Sequence, residues 1–237
     1  MNFVELSKSS GKGSFEVNAK VPENDTNDER EQILTVTKVA KGEKKYVTIR
    51  QAAGHVVVIP EFDYLVLRYG WSQASGTDFD TATGFVNTGI QDVDGKLVGW
   101  SRRYEYTSEK IGDYLIHGGD NMSSGREAAL INMKTLLGGN METLPEFIQL
   151  NVYGNWYGAK GDGRVSISFT AYKGGIMRKE GFNFINDGGE EVYSGTENTT
   201  VNAQGESNFQ NIPNLYTKMG TMEYDKNERS CMFYVNR

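Results

Sequence analysis

Three features of this sequence predict an all-β fold. Apolar and polar residues alternate over many short runs, glycine is abundant at 28 of 237 residues, and aromatic residues reach 11% while prolines number four. Alternation with period two marks strands that turn one face to a core. Glycine supplies the positive-φ positions of tight turns, and aromatic rings fill the space between stacked sheets. With 38% hydrophobic residues, a chain of this length buries one large core or two modest ones.

The elements follow in order. Residues 14–21 alternate strictly, with Phe15, Val17, Ala19 and Val21 on one face and Glu16, Asn18 and Lys20 on the other, which predicts a half-buried strand. Residues 22–28 form a turn cluster, a second strand is expected over 32–39, and Lys41-Gly42-Glu43 leads into a third over 46–51. Three such strands cannot close a sandwich, which takes about seven, so residues 1–54 are expected to be part of a domain and the native N-terminus to lie further upstream. Residues 55–237 form the second, larger domain. Its valine-rich start, 55–60, either links the domains or opens the next sheet, and 64–71 alternates again. Asp94-Gly95 predicts a hairpin between strands 86–93 and 96–100. Strands are expected at 148–153 and 165–172, joined through Asp162-Gly163, and Gly188-Gly189 is expected to turn 182–185 back into 191–193. Residues 127–134 have helical propensity, yet amid strands they read as a buried strand followed by a helical turn. The last strand covers 230–235.

Composition excludes several classes of function. The net charge is −6 with no block of like charges, which argues against a nucleic-acid partner, since phosphate binding needs a basic stripe. The single Cys231 rules out a disulfide within the chain and a cysteine-rich zinc site. Its apolar neighbours, Met232, Phe233, Tyr234 and Val235, mark a buried structural thiol. No apolar run approaches the roughly 20 residues of a membrane span, and the first residues lack the pattern of a signal peptide. No nucleophile elbow, Walker loop or dinucleotide fingerprint occurs, so the chain is expected not to be an enzyme.

The order Ser10-Gly11, Phe15-Glu16-Val17, Glu23-Asn24, Glu29-Arg30, Leu34-Thr35-Val36 and Val47-Thr48-Ile49-Arg50-Gln51 resembles the latter part of a BACON domain over residues 3–54. That family comprises immunoglobulin-like modules of Bacteroidetes surface and secreted proteins, and of some gut phage proteins. The resemblance implies a partial immunoglobulin-like sandwich, an extracellular or cell-surface location and a glycan or another surface protein as partner. The family's first strands and its usual tryptophan are missing here.

Acidic residues in glycine loops are the main chemical signal. Asp78 and Asp80 precede a strand, and residues 118–127 run Gly-Gly-Asp-Asn-Met-Ser-Ser-Gly-Arg-Glu. Calcium takes six to eight oxygens from carboxylates, amides and carbonyls, which flexible loops can supply. Taken alone, such loops are more often plain turns, and Asp78 and Asp80 are expected to act together only if their segment bends. The runs 78–85, His117-Gly118-Gly119-Asp120-Asn121, Ser124-Gly125, Glu127 and Leu130-Ile131 resemble TerD-like domains, the tellurium-resistance and stress-protein family, over about 64–235. The resemblance implies a larger TerD-like β-sandwich that binds calcium through acidic loop residues, with Asp78, Asp80, Asp120 and Glu127 as matching positions and Asn121 as an amide neighbour. Where the family has consecutive acids, this chain has Ser123-Ser124-Gly125-Arg126; fewer carboxylates and an arginine lower the affinity, which leaves a weaker site or none.

His117 has no second histidine or cysteine nearby and reads as a hydrogen-bonded structural residue, and His55 lies in another segment. Tyr153, Trp156 and Tyr157, beside Asn151 and Asn155, form a candidate sugar-binding set, although aromatics at a strand end more often plug a core. The function expected is surface recognition, with carbohydrate as ligand and calcium as a structural ion. A structural or decoration protein, as in a phage virion, is one alternative, and a glycosidase another that lacks a convincing carboxylate pair.

Overall fold

Alternating sequence becomes strand along most of the chain. The computed structural model describes residues 4–12, 16–21, 30–38, 41–51, 56–72, 77–100, 107–122, 125–158, 160, 162–205 and 212–236, and the fold is all-β, sandwich-like in architecture. Two compact units divide it, Met1–His55 and Val56–Arg237.

In the first unit, β1 (Glu5–Leu6) pairs with β2 (Ala19–Lys20), and β3 (Arg30–Lys38) pairs with β4 (Glu43–Gln51). The β3–β4 turn holds Gly42 at φ +65°, a left-handed conformation that glycine adopts without strain. Across this hairpin Leu34 lies opposite Val47 and Gln32 opposite Ile49, so apolar side chains share one face. Of the strand expected over 14–21, among the described residues 16–21 only Ala19–Lys20 is strand, and Val17 and Val21 are exposed. Alternation alone does not make a strand where no sheet is there to receive its apolar face. Phe15, the turn at 22–28, Val39 and His55 lie outside the described residues. None of this unit's described residues is buried.

The second unit stacks two sheets. One has seven strands in the order β5 (Val56–Ile59), β19 (Ser230–Val235), β18 (Thr217–Asp225), β13 (Phe147–Gly158), β7 (Thr77–Phe85), β8 (Leu97–Gly99) and β9 (Thr107–Ser108). The other has six, in the order β10 (Lys110–Ile111), β11 (Leu115–His117), β12 (Glu127–Asn132), β6 (Tyr64–Trp71), β14 (Arg164–Lys173) and β17 (Glu190–Thr200). Neighbours are antiparallel except β8 and β9. Leu65, Leu67, Tyr69, Ile167 and Phe169 from the second sheet meet Phe79, Leu150, Val152, Met222 and Phe233 from the first in one core. Phe169 and Phe233 sit edge-on at 4.8 Å, and the Tyr69 hydroxyl reaches Thr83 Oγ1 at 3.1 Å.

A hairpin of β15 (Ile176–Glu180) and β16 (Asn183–Asp187) lies on part of the six-stranded sheet's outer face. There Phe184 packs with Tyr64, Val66, Ala128 and Leu130, and Arg68 donates to Asn183 Oδ1 and Thr170 Oγ1, each at 2.7 Å. This cover explains why residues 127–132 are a strand despite their helical propensity: Ala129 and Ile131 enter the main core while Ala128 and Leu130 enter the hairpin cluster. A strand buried on both faces reads as a continuous apolar run. Helix α1 (Met133–Asn140) follows, capped by Asn132 Oδ1 on the Thr135 N–H at 3.0 Å, and a short α2 spans Ile212–Leu215.

Two turn expectations are corrected. Residues 86–93 are not a strand: the Asp94 carboxylate accepts from the Thr88 N–H, the Thr88 hydroxyl and the Gly89 N–H, each at 2.7 Å, and closes a wide loop. The strand that pairs with β8 lies earlier, with Ala82 opposite Gly99. Gly188-Gly189 joins β16 to β17, but these do not pair with each other; β16 pairs with β15, and β17 with β14. Asp63 ties distant turns together: it accepts from the Gly174 N–H and the Arg229 guanidinium, and its carbonyl accepts from the Lys134 N–H.

Candidate metal centre

Strand β7 carries Asp78 and Asp80 two residues apart, and residues at that spacing project to the same face of an extended strand. The bend expected from the sequence is therefore unnecessary. The loop after β11 brings in Asp120, and one carboxylate oxygen from each of the three lies within 4.8 Å of the other two. Oxygens that share one calcium at about 2.4 Å stand at most about 4.8 Å apart, so the cluster is compact enough for a single ion.

Glu127 enters from β12 and is fully buried. Its Oε2 accepts from the Thr81 hydroxyl at 2.5 Å and the Thr81 N–H at 3.2 Å, and lies 3.4 Å from His117 Nε2. Its Oε1 is buried without a hydrogen-bond donor among the described residues, and so is Asp120 Oδ1. Buried acceptors without donors are rare, and a cation is one group that satisfies them. His117 has the structural surroundings read from the sequence: it is 3% exposed and faces the carboxylate it helps to hold.

Electrostatics agree with the geometry. Burial, together with the charges of Glu127 and Asp78, pushes the Asp120 carboxyl up to about 6, with His117 opposing. Burial also raises Asp78, as does the Glu127 charge, while the hydrogen bond from the Phe79 N–H works against the shift. Crowded carboxylates hold their protons, and a divalent cation at this place would relieve the repulsion.

The remaining sequence candidates fall elsewhere. Asn121 Nδ2 donates to the Arg126 carbonyl at 3.1 Å and so fixes the end of the loop. Arg126, expected to compete for the carboxylates, is not among the charges acting on Asp120 and lines a separate groove. Ser123 and Ser124 lie outside the described residues. Trp156 is 1% exposed, packs at a tilt against Phe79 with ring centroids 4.7 Å apart and donates from Nε1 to the Val201 carbonyl at 3.0 Å. Tyr153 is buried in a second cluster with Ala82, Leu97, Ile212 and Tyr216, which leaves Tyr157, half exposed, as the accessible ring. The three aromatics therefore form no common stacking platform. Asn155, passed over as a site residue in the sequence, sits directly opposite Asp80 in the sheet and is 4% exposed. Its only sequence signal is an amide within an aromatic strand.

A family model named BACON and described as "Putative binding domain, N-terminal" matches residues 2–52. The match falls within the smaller unit and defines that segment as BACON-type. No curated protein and no solved structure matches the chain. Among the described residues no helix is long and apolar enough to cross a membrane.

Proposed function

We propose that this chain is a non-enzymatic binding protein of a bacterial cell surface, in which the first unit contributes recognition and the second unit holds a calcium ion. The convergence of Asp78, Asp80 and Asp120 within 4.8 Å carries the cation reading, and the buried, donorless Oε1 of Glu127, whose charge acts on Asp120, supports it. The donors are hard oxygens, which favours calcium over softer metals. The resemblance to TerD-like domains supports the same choice, since its acidic positions coincide with this cluster. The BACON match supports a binding role, and the resemblance of that segment to Bacteroidetes surface modules supports an extracellular site and a glycan ligand.

Calcium titration with the melting temperature as readout tests the cation reading. A ligand specific for the folded state at a hundred times its Kd stabilises by about 2.7 kcal/mol, so a saturable upward shift is expected. An unchanged melting temperature at millimolar calcium removes the ion from this account. Glycan-array binding tests the recognition reading separately.

A further inference from the structure

We infer that a groove on the outer face of the six-stranded sheet binds a hydroxylated carboxylate, a sugar acid in chemical class, through Arg126 and Arg164. The groove is open to solvent and holds about 440 Å³, within the range of roughly 300–1,000 Å³ typical of small-ligand sites. Its floor is set by register. Gly70 lies opposite Ser166, Ser166 lies opposite Asn198, and Arg126 precedes Glu127, the partner of Tyr69. Gly70, Ser166 and Asn198 thus form one row across β6, β14 and β17, on the face away from the core residues Tyr69 and Ile167, and Arg126 stands just before β12 at the end of that row.

The row is a depression because Gly70 has no side chain. A Cβ there would lie 2.7 Å from Ser166 Oγ, whose hydroxyl donates to the Gly70 carbonyl at 3.1 Å. The β15–β16 hairpin covers another part of this face, over Tyr64, Val66, Ala128 and Leu130, and contributes no residue to the groove. Trp71 also borders it, but its side chain turns into the core beside Tyr69 and packs against Phe79 at 5.4 Å.

The chemistry selects the ligand. Arg126 and Arg164 line the groove with one carboxylate, Asp162, which lies 3.7 Å from Arg164. The local excess of one positive charge suits a monoanion, and guanidinium groups bind carboxylates by paired hydrogen bonds. Asp162 opposes a dianion such as phosphate, but it accepts hydrogen bonds from hydroxyls, as does the Asn198 amide oxygen. A ligand with one carboxylate and several hydroxyls uses every group present. Two sources share that chemistry: a uronate residue of a polysaccharide and a free open-chain sugar acid. None of the groove residues belongs to the carboxylate cluster, so the inference stands apart from the cation reading.

The test is an amide-NMR titration of the full chain with oligogalacturonate, gluconate, glucose and inorganic phosphate at millimolar concentrations. Saturable shifts at Gly70, Gly125 and Arg126 with either acid, and none with glucose, are expected. Tighter binding of the oligomer points to the polysaccharide source, and equal binding of gluconate to the free acid. Arg126→Ala and Arg164→Ala should each weaken binding about tenfold, the scale of a lost hydrogen bond to a charged group. Gly70→Ala should abolish binding without changing charge, and if that variant fails to fold, the two exposed arginines still decide the matter. No saturation, equal binding of glucose or phosphate, or arginine variants that bind as the parent does would overturn the inference.

Discussion

Asp120 shows how burial, reinforced by the neighbouring Glu127 and Asp78 charges, changes the behaviour of a carboxylate. Asp120 moves from 3.8 to about 6, so between about pH 4 and pH 6 the folded chain holds a proton that the unfolded chain has released. Without a cation, this group's stabilising contribution is complete below about pH 4 and disappears as the pH rises through about 6. Calcium displaces that proton, so its upward shift of the melting temperature should be larger at neutral pH than at acidic pH; equal shifts would separate Asp120 from the ion. Trp156 and Tyr157 make a second contrast, because strand alternation puts one inside and the other half outside. Trp156→Ala should cost about 3–5 kcal/mol in urea denaturation, and Tyr157→Ala no more than about 0.5 kcal/mol. In the sequence the acidic residues were legible as a set only through the resemblance, because Asp80 and Asp120 lie on separate segments that only the folded sheets bring together. The aromatics were legible as a core plug, the commoner fate of such residues. Asn155 was not legible, since what marks it is a cross-strand neighbour.

Among the elements, the β15–β16 hairpin is held by close backbone approach as well as by Phe184. A Cβ on Gly118 would stand 2.6 Å from the Phe182 carbonyl oxygen and 3.1 Å from that of Ala128. Neither backbone atom can yield easily, so Gly118→Ala should destabilise by about 1–3 kcal/mol in chemical denaturation. Gly138 in α1 is the opposite case: nothing lies within 4 Å of its added Cβ, and Gly138→Ala should stabilise by up to about 1 kcal/mol. Strands 64–71 and 230–235 were readable to the residue because each lays every second side chain in the main core. The segment 86–93 was misread because its two valines imitate a strand while Asp94 holds the backbone of Thr88 and Gly89 in a loop, a capping interaction that periodicity does not register.

At the scale of the molecule, the two units differ in how they are held. The second has a continuous core between its sheets, whereas none of the described residues of the first is buried. An isolated two-stranded hairpin is only marginally stable in water. A chain beginning at Val56 should therefore keep the main calorimetric transition of the full protein, and a loss of that transition would show that the first unit is needed for the second to fold. The all-β class was plain from composition and alternation. The division into sheets was not, because β13 and β14 are consecutive in sequence yet belong to different sheets.

The pairing of β5 with β19 has a further consequence. Tyr234 lies directly opposite Val56, so the chain enters and leaves the second unit one strand-width apart. A body built this way can be spliced into a surface loop of a host protein, or have its old ends joined and new ones opened elsewhere, without stretching its backbone. A circular permutant cut in the loop at Asp94 and closed by a short glycine-serine bridge should melt close to the parent unit.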